Sequence, residues 1–224
     1  MGSLIKTVSL WKSYRGGGTE AYALRDVNIN IERGDYLAIV GPSGAGKTTL
    51  LNILGGLDIA TKGRVFFEGK DISGWREEKI SLWRNRSIGF VFQFYHLIEE
   101  LTVLENIMLP SLLCKDTKTS FKETRKLLKY LSVDDKSHYF PSQLSGGEKQ
   151  KVAIARALVN EPAIVFCDEP TGNLDGVSSE KVITLLEALN TDKGKTIVIV
   201  THNIELAQRA SRVVNIKNGR IDKV

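Results

Sequence analysis

Cysteine is scarce in this sequence, and the patterns of membrane and secreted proteins are missing. Only two cysteines, Cys114 and Cys167, occur among 224 residues, so no disulfide framework is indicated and a reducing cytosol is expected. No apolar run approaches the roughly 20 residues that a membrane-spanning helix needs, and residues 1–10 show no secretory signal pattern. The sequence therefore predicts a chain that does not cross a bilayer by itself.

Charge of one sign is not concentrated in any segment either. The 31 basic and 26 acidic residues give a net charge of +5, and they are scattered, without a dense block of Lys and Arg. Such an excess would suit nucleic acid or an anionic membrane surface, but the scatter favours a mixed, solvated surface. The rest of the composition, 42% hydrophobic and 25% charged, excludes intrinsic disorder and is typical of a globular protein with a sizeable core.

Apolar segments alternate with helical patterns along most of the chain. The runs at 163–167 and 196–200 are rich in β-branched residues and do not alternate in hydrophobicity, which is typical of parallel strands buried on both faces. Other predicted segments are strands at 4–10, 27–31, 36–40 and 64–68, a loop at 16–18, helices at 47–54 and 177–189, and a hairpin at 213–221 that turns at Asn218-Gly219. This order predicts an α/β core.

The middle of the chain differs from the rest. Helical patterns at 121–131 and 149–159 have no strong strand pattern between them. Because strand patterns return afterwards, we predict a single domain over 1–224, with a core of about 1–89 and 161–224 and a helical insertion at about 90–160.

The segment Gly41-Pro-Ser-Gly-Ala-Gly-Lys-Thr48 has the residues and spacing of a phosphate loop. Its glycines let successive backbone N–H groups face phosphate oxygens, and the helix that begins at Lys47 adds its positive end. Lys47 would reach the β- and γ-phosphates, and Thr48 would offer a hydroxyl to Mg²⁺. A predicted strand precedes the segment and a helix follows it, so the sequence predicts a nucleotide site formed by Gly41, Pro42, Ser43, Gly44, Ala45, Gly46, Lys47, Thr48 and Thr49.

Two acidic residues, Asp168 and Glu169, follow the apolar run at 163–167. Ligands of α/β sheets bind at the carboxyl ends of strands, where Asp168 would hold Mg²⁺ through its water shell. Glu169 would act as a base toward an attacking water or would polarise it. The alternative is an acidic pair that caps the turn before Pro170, and the phosphate loop makes this the weaker interpretation. Cys167 is interpreted as a small buried hydrophobe.

A third motif, Leu144-Ser-Gly-Gly-Glu148, precedes a helical pattern. Ser145 and Glu148 have the spacing of a capping box, so a well-capped helix is one interpretation. However, glycines at 146 and 147 reduce helix stability, and a close approach of the backbone to an anion would explain them. The chain thus has two predicted phosphate-binding helix starts, which suggests that each faces a different nucleotide molecule.

In this order, the motifs resemble those of the ATP-binding cassette (ABC) transporter ATPases over essentially the whole chain. The resemblance implies a P-loop NTPase fold with a RecA-like core, an N-terminal antiparallel β subdomain and an inserted α-helical subdomain. It also implies hydrolysis of ATP with Mg²⁺ by a head-to-tail homodimer, in which residues 144–148 of one subunit close on the ATP held by the other. The partners implied are integral membrane permease subunits, at the cytoplasmic face of the inner membrane, and no nucleic acid.

The resemblance also implies roles for individual residues. Tyr14 would stack on adenine, Gln93 would sense Mg²⁺ and the membrane partner, and residues 173–175 would form a loop that crosses the dimer interface. His202 would contact the γ-phosphate, although a lone histidine at a strand end is more often structural. The implied sets are the catalytic residues Glu169, His202 and Lys47, the metal-binding residues Thr48, Gln93 and Asp168, and the further nucleotide-binding residues Ser145, Gly146, Gly147, Glu148 and Asp175. Glu148 departs from the glutamine that is usual in the family.

Three strings, at 51–58, 88–94 and 170–175, resemble the branch that contains lipoprotein-releasing, macrolide-efflux and cell-division ATPases, and residues 94–97 most resemble the lipoprotein-releasing type. The function implied is an ATP-hydrolysing subunit that drives release of lipoproteins from the outer leaflet of the bacterial inner membrane through a separate membrane subunit. A related efflux or cell-division complex is the alternative. Some apolar residues of 90–113 would line a groove for a short cytoplasmic helix of that membrane subunit.

Three rival classes explain less of the sequence. A P-loop kinase would account for residues 41–48 but leave 144–148 unexplained. A DNA-repair or chromosome-structuring ATPase would need long coiled-coil insertions between these two motifs, and the observed spacing is far too short. A regulatory dimer that does not hydrolyse ATP would not need Glu169.

Overall fold

Two β-sheets organise the chain, which the computed structural model describes over residues 2–16 and 19–222. The strands within these residues are β1 (Ser3–Gly16), β2 (Thr19–Val27), β3 (Asn30–Glu32), β4 (Tyr36–Val40), β5 (Lys62–Phe67), β6 (Lys70–Asp71), β7 (Ile88–Phe92), β8 (Ile164–Asp168), β9 (Thr196–Thr201), β10 (Arg212–Lys217) and β11 (Arg220–Ile221). The helices are α1 (Lys47–Leu54), α2 (Glu77–Ser87), α3 (Val103–Met108), α4 (Thr117–Tyr130), α5 (Gly146–Leu158), α6 (Gly176–Thr191) and α7 (Ile204–Gln208). Among the described residues, no helix combines the length and apolar character needed to span a membrane.

The larger sheet has the order β11-β10-β4-β9-β8-β7, and its strands are parallel except for the terminal β10–β11 hairpin. Successive residues of its central strands face different cores: Phe166 packs in the core cluster that includes α1, whereas Cys167 packs in the cluster that includes α5 and α6. The two non-alternating apolar runs are therefore buried on both faces, as predicted. The predicted α/β architecture is confirmed.

The smaller sheet is antiparallel, with the order β2-β1-β5-β6 and with β3 also paired to β1. It lies at the N-terminal side of the chain, and its apolar residues share one core cluster with α1 and with one face of the larger sheet. The antiparallel β subdomain expected from the resemblance is thus present, and it packs beside the phosphate-loop helix.

The predicted strand at 27–31 is wrong as a continuous element. Val27 ends β2 opposite Leu10 of β1, and β3 starts only at Asn30, opposite Lys6. Ser9 of β1, between these two pairs, has φ 45°. The Thr7 hydroxyl donates to the Val27 carbonyl and accepts the N–H of Ile29, so a side chain replaces regular ladder bonds. Gly16 belongs to β1 rather than to the predicted loop, and residues 17 and 18 lie outside the described residues.

Three α-helices, α3, α4 and α5, lie between β7 and β8 in the sequence, together with short 3₁₀ helices at Leu109–Leu113, Asp134–Lys136 and Pro141–Gln143. Strands β7 and β8 are adjacent and parallel in the larger sheet. Because β7 continues to Phe92, residues 90–92 belong to this sheet and not to the helical segment. The division of the chain into a core and an insertion at about 90–160 stays a prediction. The return of the chain to a neighbouring strand supports it.

Candidate nucleotide-binding site

The segment at 41–46 turns tightly between the end of β4 and the start of α1. Gly44 and Gly46 have φ angles of 74° and 102°, in a region that residues with a side chain rarely adopt. A Cβ atom on Gly46 would also lie 2.3 Å from the carbonyl oxygen of Ala23, in β2. Glycine at 46 is therefore required both by the backbone conformation and by the close approach of the smaller sheet.

Lys47 extends from the first position of α1 back over this loop. Its Nζ donates hydrogen bonds to the carbonyl oxygens of Gly41 and Pro42, at 2.8 and 3.0 Å, and the residue is buried. The ammonium group is therefore held on the concave side of the loop, close to the start of the helix. Its charge and the helix start together favour an anion at this position.

Thr48 and Asp168 meet from opposite sides of the site. The Thr48 hydroxyl donates to Asp168 Oδ1 at 3.2 Å. Burial raises the pKa of Asp168, the neighbouring Glu169 raises it further, and the hydrogen bond from Thr48 and the charge of Lys47 oppose them. A hydroxyl and a carboxylate oxygen are hard donors of the kind that Mg²⁺ takes, and Mg²⁺ in nucleotide sites needs only one or two protein carboxylates.

Glu169 and His202 are brought together by the register of β8 and β9. Asp168 lies opposite Val200, so the residues that follow each strand are neighbours. Glu169 accepts hydrogen bonds from the Thr201 hydroxyl (2.9 Å) and from the backbone N–H of His202 (3.0 Å). Its Oε1 also lies 2.6 Å from Nδ1 of the His202 ring, which leaves Nε2 as the ring nitrogen that can face a ligand.

Gln93 reaches the same region from the end of β7, because Phe92 is paired with Asp168 across β7 and β8. Its Nε2 donates to Asn173 Oδ1 at 3.2 Å, and Asn173 Nδ2 donates to the Gln93 carbonyl at 3.0 Å. A Cβ on Gly172 would lie 2.8 Å from Gln93 Nε2. The segment at 172–173 therefore packs directly on Gln93 and ties it to the residues that follow Glu169.

One cavity of about 380 Å³ joins these groups. It is lined by Ala23, Ser43, Gly44, Gly46, Lys47, Thr48, Thr49, Gln93, Asp168, Glu169, Val200 and His202. The structure thus gathers most of the residues that the sequence assigned to nucleotide, metal and catalysis. The lining includes the ammonium group of Lys47, the carboxylates of Asp168 and Glu169, and the imidazole of His202. Groups of both charges are therefore present in one cavity.

Residues 145–148 and Asp175 do not line this cavity. The predicted capping box of α5 is confirmed: Ser145 Oγ accepts the N–H of Glu148, and Glu148 Oε2 accepts both the N–H and the hydroxyl proton of Ser145. These hydrogen bonds, chiefly the one from the Ser145 backbone, lower the pKa of Glu148. The start of α5 is instead close to the 173–175 segment, since a Cβ on Gly146 would lie 3.2 Å from the Leu174 side chain.

Asp175 caps the next helix. Its carboxylate accepts hydrogen bonds from the N–H and the hydroxyl of Ser178, at 2.9 and 2.7 Å, and these bonds lower the pKa of Asp175. Ser178 is also the nearest neighbour of a Cβ placed on Gly147. The two predicted dimer-facing segments, 145–148 and 173–175, are therefore in contact with each other, and neither lines the cavity beside the phosphate loop.

Tyr14 also lies outside the cavity lining but next to it. The residue is about half exposed, at 48%. Burial and the hydrogen bond to Asp58 raise the pKa of its phenol, and the side chain of Thr49, in the first turn of α1, opposes this. An exposed aromatic ring at the edge of a phosphate site is able to stack on a nucleotide base.

Sequence reasoning missed Thr201 and Asp58. Thr201 holds the second oxygen of Glu169, and its position directly before His202 at the end of an apolar run was a usable signal. Asp58 accepts a hydrogen bond from the Tyr14 hydroxyl at 2.9 Å. No local pattern predicts this contact, because the two residues are brought together only by packing of β1 against the segment after α1.

Comparisons with known proteins agree with these observations. The profile of the ABC transporter family matches residues 24–172. The lipoprotein-releasing system ATP-binding protein LolD of Idiomarina loihiensis is 41% identical over 222 residues, which are 99% of this chain and 97% of that protein. The macrolide export ATP-binding/permease protein MacB of Rhodopirellula baltica is 41% identical over 97% of this chain, but the match covers only 32% of MacB.

A solved structure gives the same result for the fold. The dimeric post-hydrolysis state of the ATP-binding cassette MJ0796, bound to ADP and Pi, has a TM-score of 0.90 and 39% sequence identity, with 98% of this chain and 97% of that chain covered. The expected P-loop fold of the cassette type, with its antiparallel β subdomain and inserted helices, is confirmed by this similarity.

Proposed function

The chain belongs to the ABC transporter family as an ATP-binding subunit and an ATPase, and from this premise we propose that it drives lipoprotein release through a separate membrane subunit. The observation that carries the enzymatic part is the cavity beside the phosphate loop, where Glu169 and His202 lie together. The cargo is supported by the relative named for lipoprotein release, which matches over nearly its full length.

ATP would bind with its phosphates on the loop at 41–46 and its adenine on Tyr14. Lys47 is held where β- and γ-phosphate oxygens would replace its two carbonyl acceptors. The residues that would hold Mg²⁺ are Thr48, Asp168 and Gln93, whose oxygen atoms suit a hard cation. When bound, Mg²⁺ would offset negative charge on the β- and γ-phosphates.

Hydrolysis would depend on the pair formed by Glu169 and His202. The Glu169 carboxylate is positioned by Thr201 and by the backbone N–H of His202, so it would orient a water and accept its proton. As an imidazolium, with a proton on each ring nitrogen, His202 would donate from Nδ1 to Glu169 and from Nε2 to the transferred phosphoryl group. Lys47 would neutralise charge that develops on the same group, and positioning with electrostatics would supply most of the catalysis.

The site would be completed by a second copy of the chain. The capped start of α5 offers backbone N–H groups to an anion, but residues 145–148 do not line the cavity that holds Lys47 in their own subunit. In a head-to-tail homodimer, this surface and the adjacent 173–175 segment would close on the ATP of the other subunit. The solved cassette that is similar to this chain is a dimer bound to ADP and Pi.

The membrane subunit would dock in a groove next to β7. A cavity of about 390 Å³ is lined there by residues that include Leu57, Arg84, Phe90, Phe92, Pro110, Leu113 and Arg156. Leu113 is exposed, and the lining combines the two arginines with apolar side chains. Such a groove fits a short amphipathic helix, and Phe90 and Phe92 of its lining belong to the strand that ends next to Gln93. Binding in the groove would place the chain at the cytoplasmic face of the inner membrane.

The alternative cargo class is that of efflux or cell-division complexes. Its efflux part is supported by the similarity to MacB, in which the matched part is about a third of a longer ATP-binding/permease protein. No residue of an ATPase subunit has to contact the cargo, so the cargo depends on the membrane subunit.

The deciding experiment is capture of that subunit. A tagged Glu169→Gln variant, with ATP present, is purified from gently solubilised membranes of the native organism, and the proteins that accompany it are identified by mass spectrometry. A subunit with few membrane spans and a large extracytoplasmic domain, which also binds lipoprotein, supports the proposal. A many-spanning permease would overturn the proposed cargo and leave the ATPase assignment in place. A Lys47→Ala variant is the control for capture that does not depend on ATP.

A further inference from the structure

We propose that Asp58 is a positioning residue for the nucleotide base, because it holds the ring of Tyr14 at the edge of the phosphate site. The inference rests on the proposed function in one respect, namely that the base of ATP lies on Tyr14. It goes further by assigning part of the affinity for the base to two residues, Asp58 and Lys12, that do not line the cavity beside the phosphate loop.

The carboxylate of Asp58 divides its two oxygens between two partners. Oδ2 accepts the hydroxyl proton of Tyr14 at 2.9 Å, and Oδ1 pairs with Nζ of Lys12 at 2.5 Å. The same ammonium donates to the carbonyl of Ile59 at 2.8 Å. Lys12 and Tyr14 both belong to β1, so Asp58 is bound to this strand through both of its carboxylate oxygens.

Lys12 supports the ring from its face as well as through Asp58. Its Nζ lies 4.8 Å from the centroid of the Tyr14 ring, which is within the range of a cation–π contact. The Lys12 and Asp58 side chains are only 12% and 28% exposed, so this ion pair is far less screened by water than a surface pair. The ring itself stays half exposed. It is therefore held in place and still open to a ligand.

The segment that contains Asp58 is itself well anchored. Leu57 and Asp58 lie just after α1, the helix that begins at the phosphate loop. Their backbone N–H groups donate to the carbonyl of Asn52 in that helix, at 2.8 and 3.2 Å. Thr61 then returns to β1, where its N–H donates to the Trp11 carbonyl at 2.8 Å. Asp58 thus links the helix that binds phosphate to the ring that would bind the base.

An aromatic platform that is fixed before binding gives a higher affinity than one that must be ordered by the ligand, because immobilising a side chain opposes binding. Loss of Asp58 should free the Tyr14 ring without disturbing residues 41–48. We therefore expect a lower affinity for the base and an unchanged affinity for the phosphates.

The test compares ATP with inorganic tripolyphosphate, which carries the phosphates but has no base. Dissociation constants are measured by calorimetry for the full chain and for Asp58→Ala, with Asp192→Ala as a surface control. Asp58→Ala should weaken ATP binding by about three- to tenfold, the size of the net contribution of one typical hydrogen bond. Tripolyphosphate should bind within twofold of its original affinity, and saturating ATP should restore kcat while KM rises.

Two tyrosine variants complete the test. Tyr14→Phe keeps the ring and removes only the hydroxyl, so the double variant with Asp58→Ala should bind ATP no more weakly than Asp58→Ala alone. Additive losses would show that Asp58 acts elsewhere and would overturn the inference, as would equal weakening of ATP and tripolyphosphate or no weakening of either.

Tyr14→Ala separates failure of this inference from failure of the proposed site. If Tyr14→Ala weakens ATP binding but Asp58→Ala does not, the inference about Asp58 is wrong and the proposed site stands. If Tyr14→Ala also leaves ATP affinity unchanged, the base does not lie on Tyr14, and both are wrong.

Discussion

The carboxylate of Glu169 faces the Nδ1 edge of the His202 imidazole, with 2.6 Å between the two atoms. The same carboxylate accepts the backbone N–H of His202 and the hydroxyl of Thr201. Glu169 also has a positive φ of 46°, an uncommon conformation that is found mostly where the surroundings impose it. The two residues are therefore positioned as one unit at the edge of the cavity beside the phosphate loop.

Replacement of Glu169 by glutamine should stop hydrolysis while ATP still binds. An amide cannot accept the proton of water, so we expect kcat to fall by about 10²-fold or more. Phosphate release measures the rate, and calorimetry measures ATP affinity. Glu78→Gln, an exposed position on α2, is the matched control and should keep the original rate. A rate within fivefold of the original in the Glu169 variant would contradict the assignment.

Variants of Glu169 and His202 should be non-additive. Since each residue holds the other in place, removing either should lose most of what the pair contributes. We expect His202→Ala to reduce kcat with little change in KM, and Glu169→Gln/His202→Ala to be no slower than the slower single variant. Steady-state rates of the three variants test this. Losses that multiply in the double variant would mean that the two residues act independently.

Glu148→Gln should strengthen the ATP-bound dimer modestly. The hydrogen bonds from Ser145 lower the pKa of Glu148, so the carboxylate is ionised at neutral pH and would repel a triphosphate brought near it. Glutamine keeps the capping oxygen and removes the charge. Sedimentation at fixed salt, in a Glu169→Gln background with ATP, should give a lower dimer dissociation constant. Equal or weaker association would rule out the repulsion, and Glu78→Gln in the same background is the control.

The two cysteines should differ in reactivity in the folded chain. Cys167 is fully buried in β8, and burial raises the pKa of its thiol, whereas Cys114 is only partly buried. Because the thiolate is the reactive form, a disulfide reagent should modify Cys114 first and reach Cys167 only after unfolding. The absorbance of the thiolate that the reagent releases follows both the reaction of Cys114 in the folded chain and the reaction of Cys167 after unfolding. In Cys114→Ser, a fast phase in the folded state would contradict the burial of Cys167.

Stability conferred by Asp58 should disappear in acid. Burial alone would raise the pKa of Asp58, but hydrogen bonds from Lys12 and Tyr14 outweigh it and lower the pKa below its usual value. A carboxylate of this kind contributes its full stability above the unfolded-state pKa of about 3.9 and loses it as pH falls through the folded-state pKa. The difference in urea midpoint between the original chain and Asp58→Ala should therefore be constant from about pH 8 to 5. It should shrink below about pH 4.

Asp192→Ala, at an exposed position after α6, corrects this comparison for general effects of acid. A difference in midpoint that persists undiminished at the lowest pH at which the protein folds would show that Asp58 stabilises the chain without its charge.

Local patterns predicted the elements that depend on neighbouring residues. Strand 36–40 and helix 47–54 have the predicted bounds, because an apolar run, a set of glycines and a helical pattern follow one another without ambiguity. The hairpin turns at Asn218-Gly219 as predicted, with φ angles of 50° and 75°, the positive values that this turn requires. The capping box at 145–148 is likewise a property of four consecutive residues.

Elements with a weak local pattern were not predicted. Helix α2 buries only Trp83, so it has no apolar face to detect. Strand β7 is short and contains Gly89. A Cβ atom added at this glycine would lie 2.6 Å from the carbonyl oxygen of Ala157, so α5 packs closely on the strand there. Its assignment as a strand depends on α5 and β8, which lie far away in the sequence.

The chemical groups of the site follow from short stretches of sequence: a loop and helix start for phosphates, an acidic pair after a buried strand, and a capped second helix start. These features rest on backbone conformations and side-chain reach within a few residues. Which of these groups meet depends on the tertiary structure. The register of β7, β8 and β9 places Gln93 and His202 beside Glu169, and the packing of β1 on the segment after α1 brings Asp58 to the hydroxyl of Tyr14. Strand register and packing depend on all the strands and both cores together, so they cannot be predicted from a local sequence pattern.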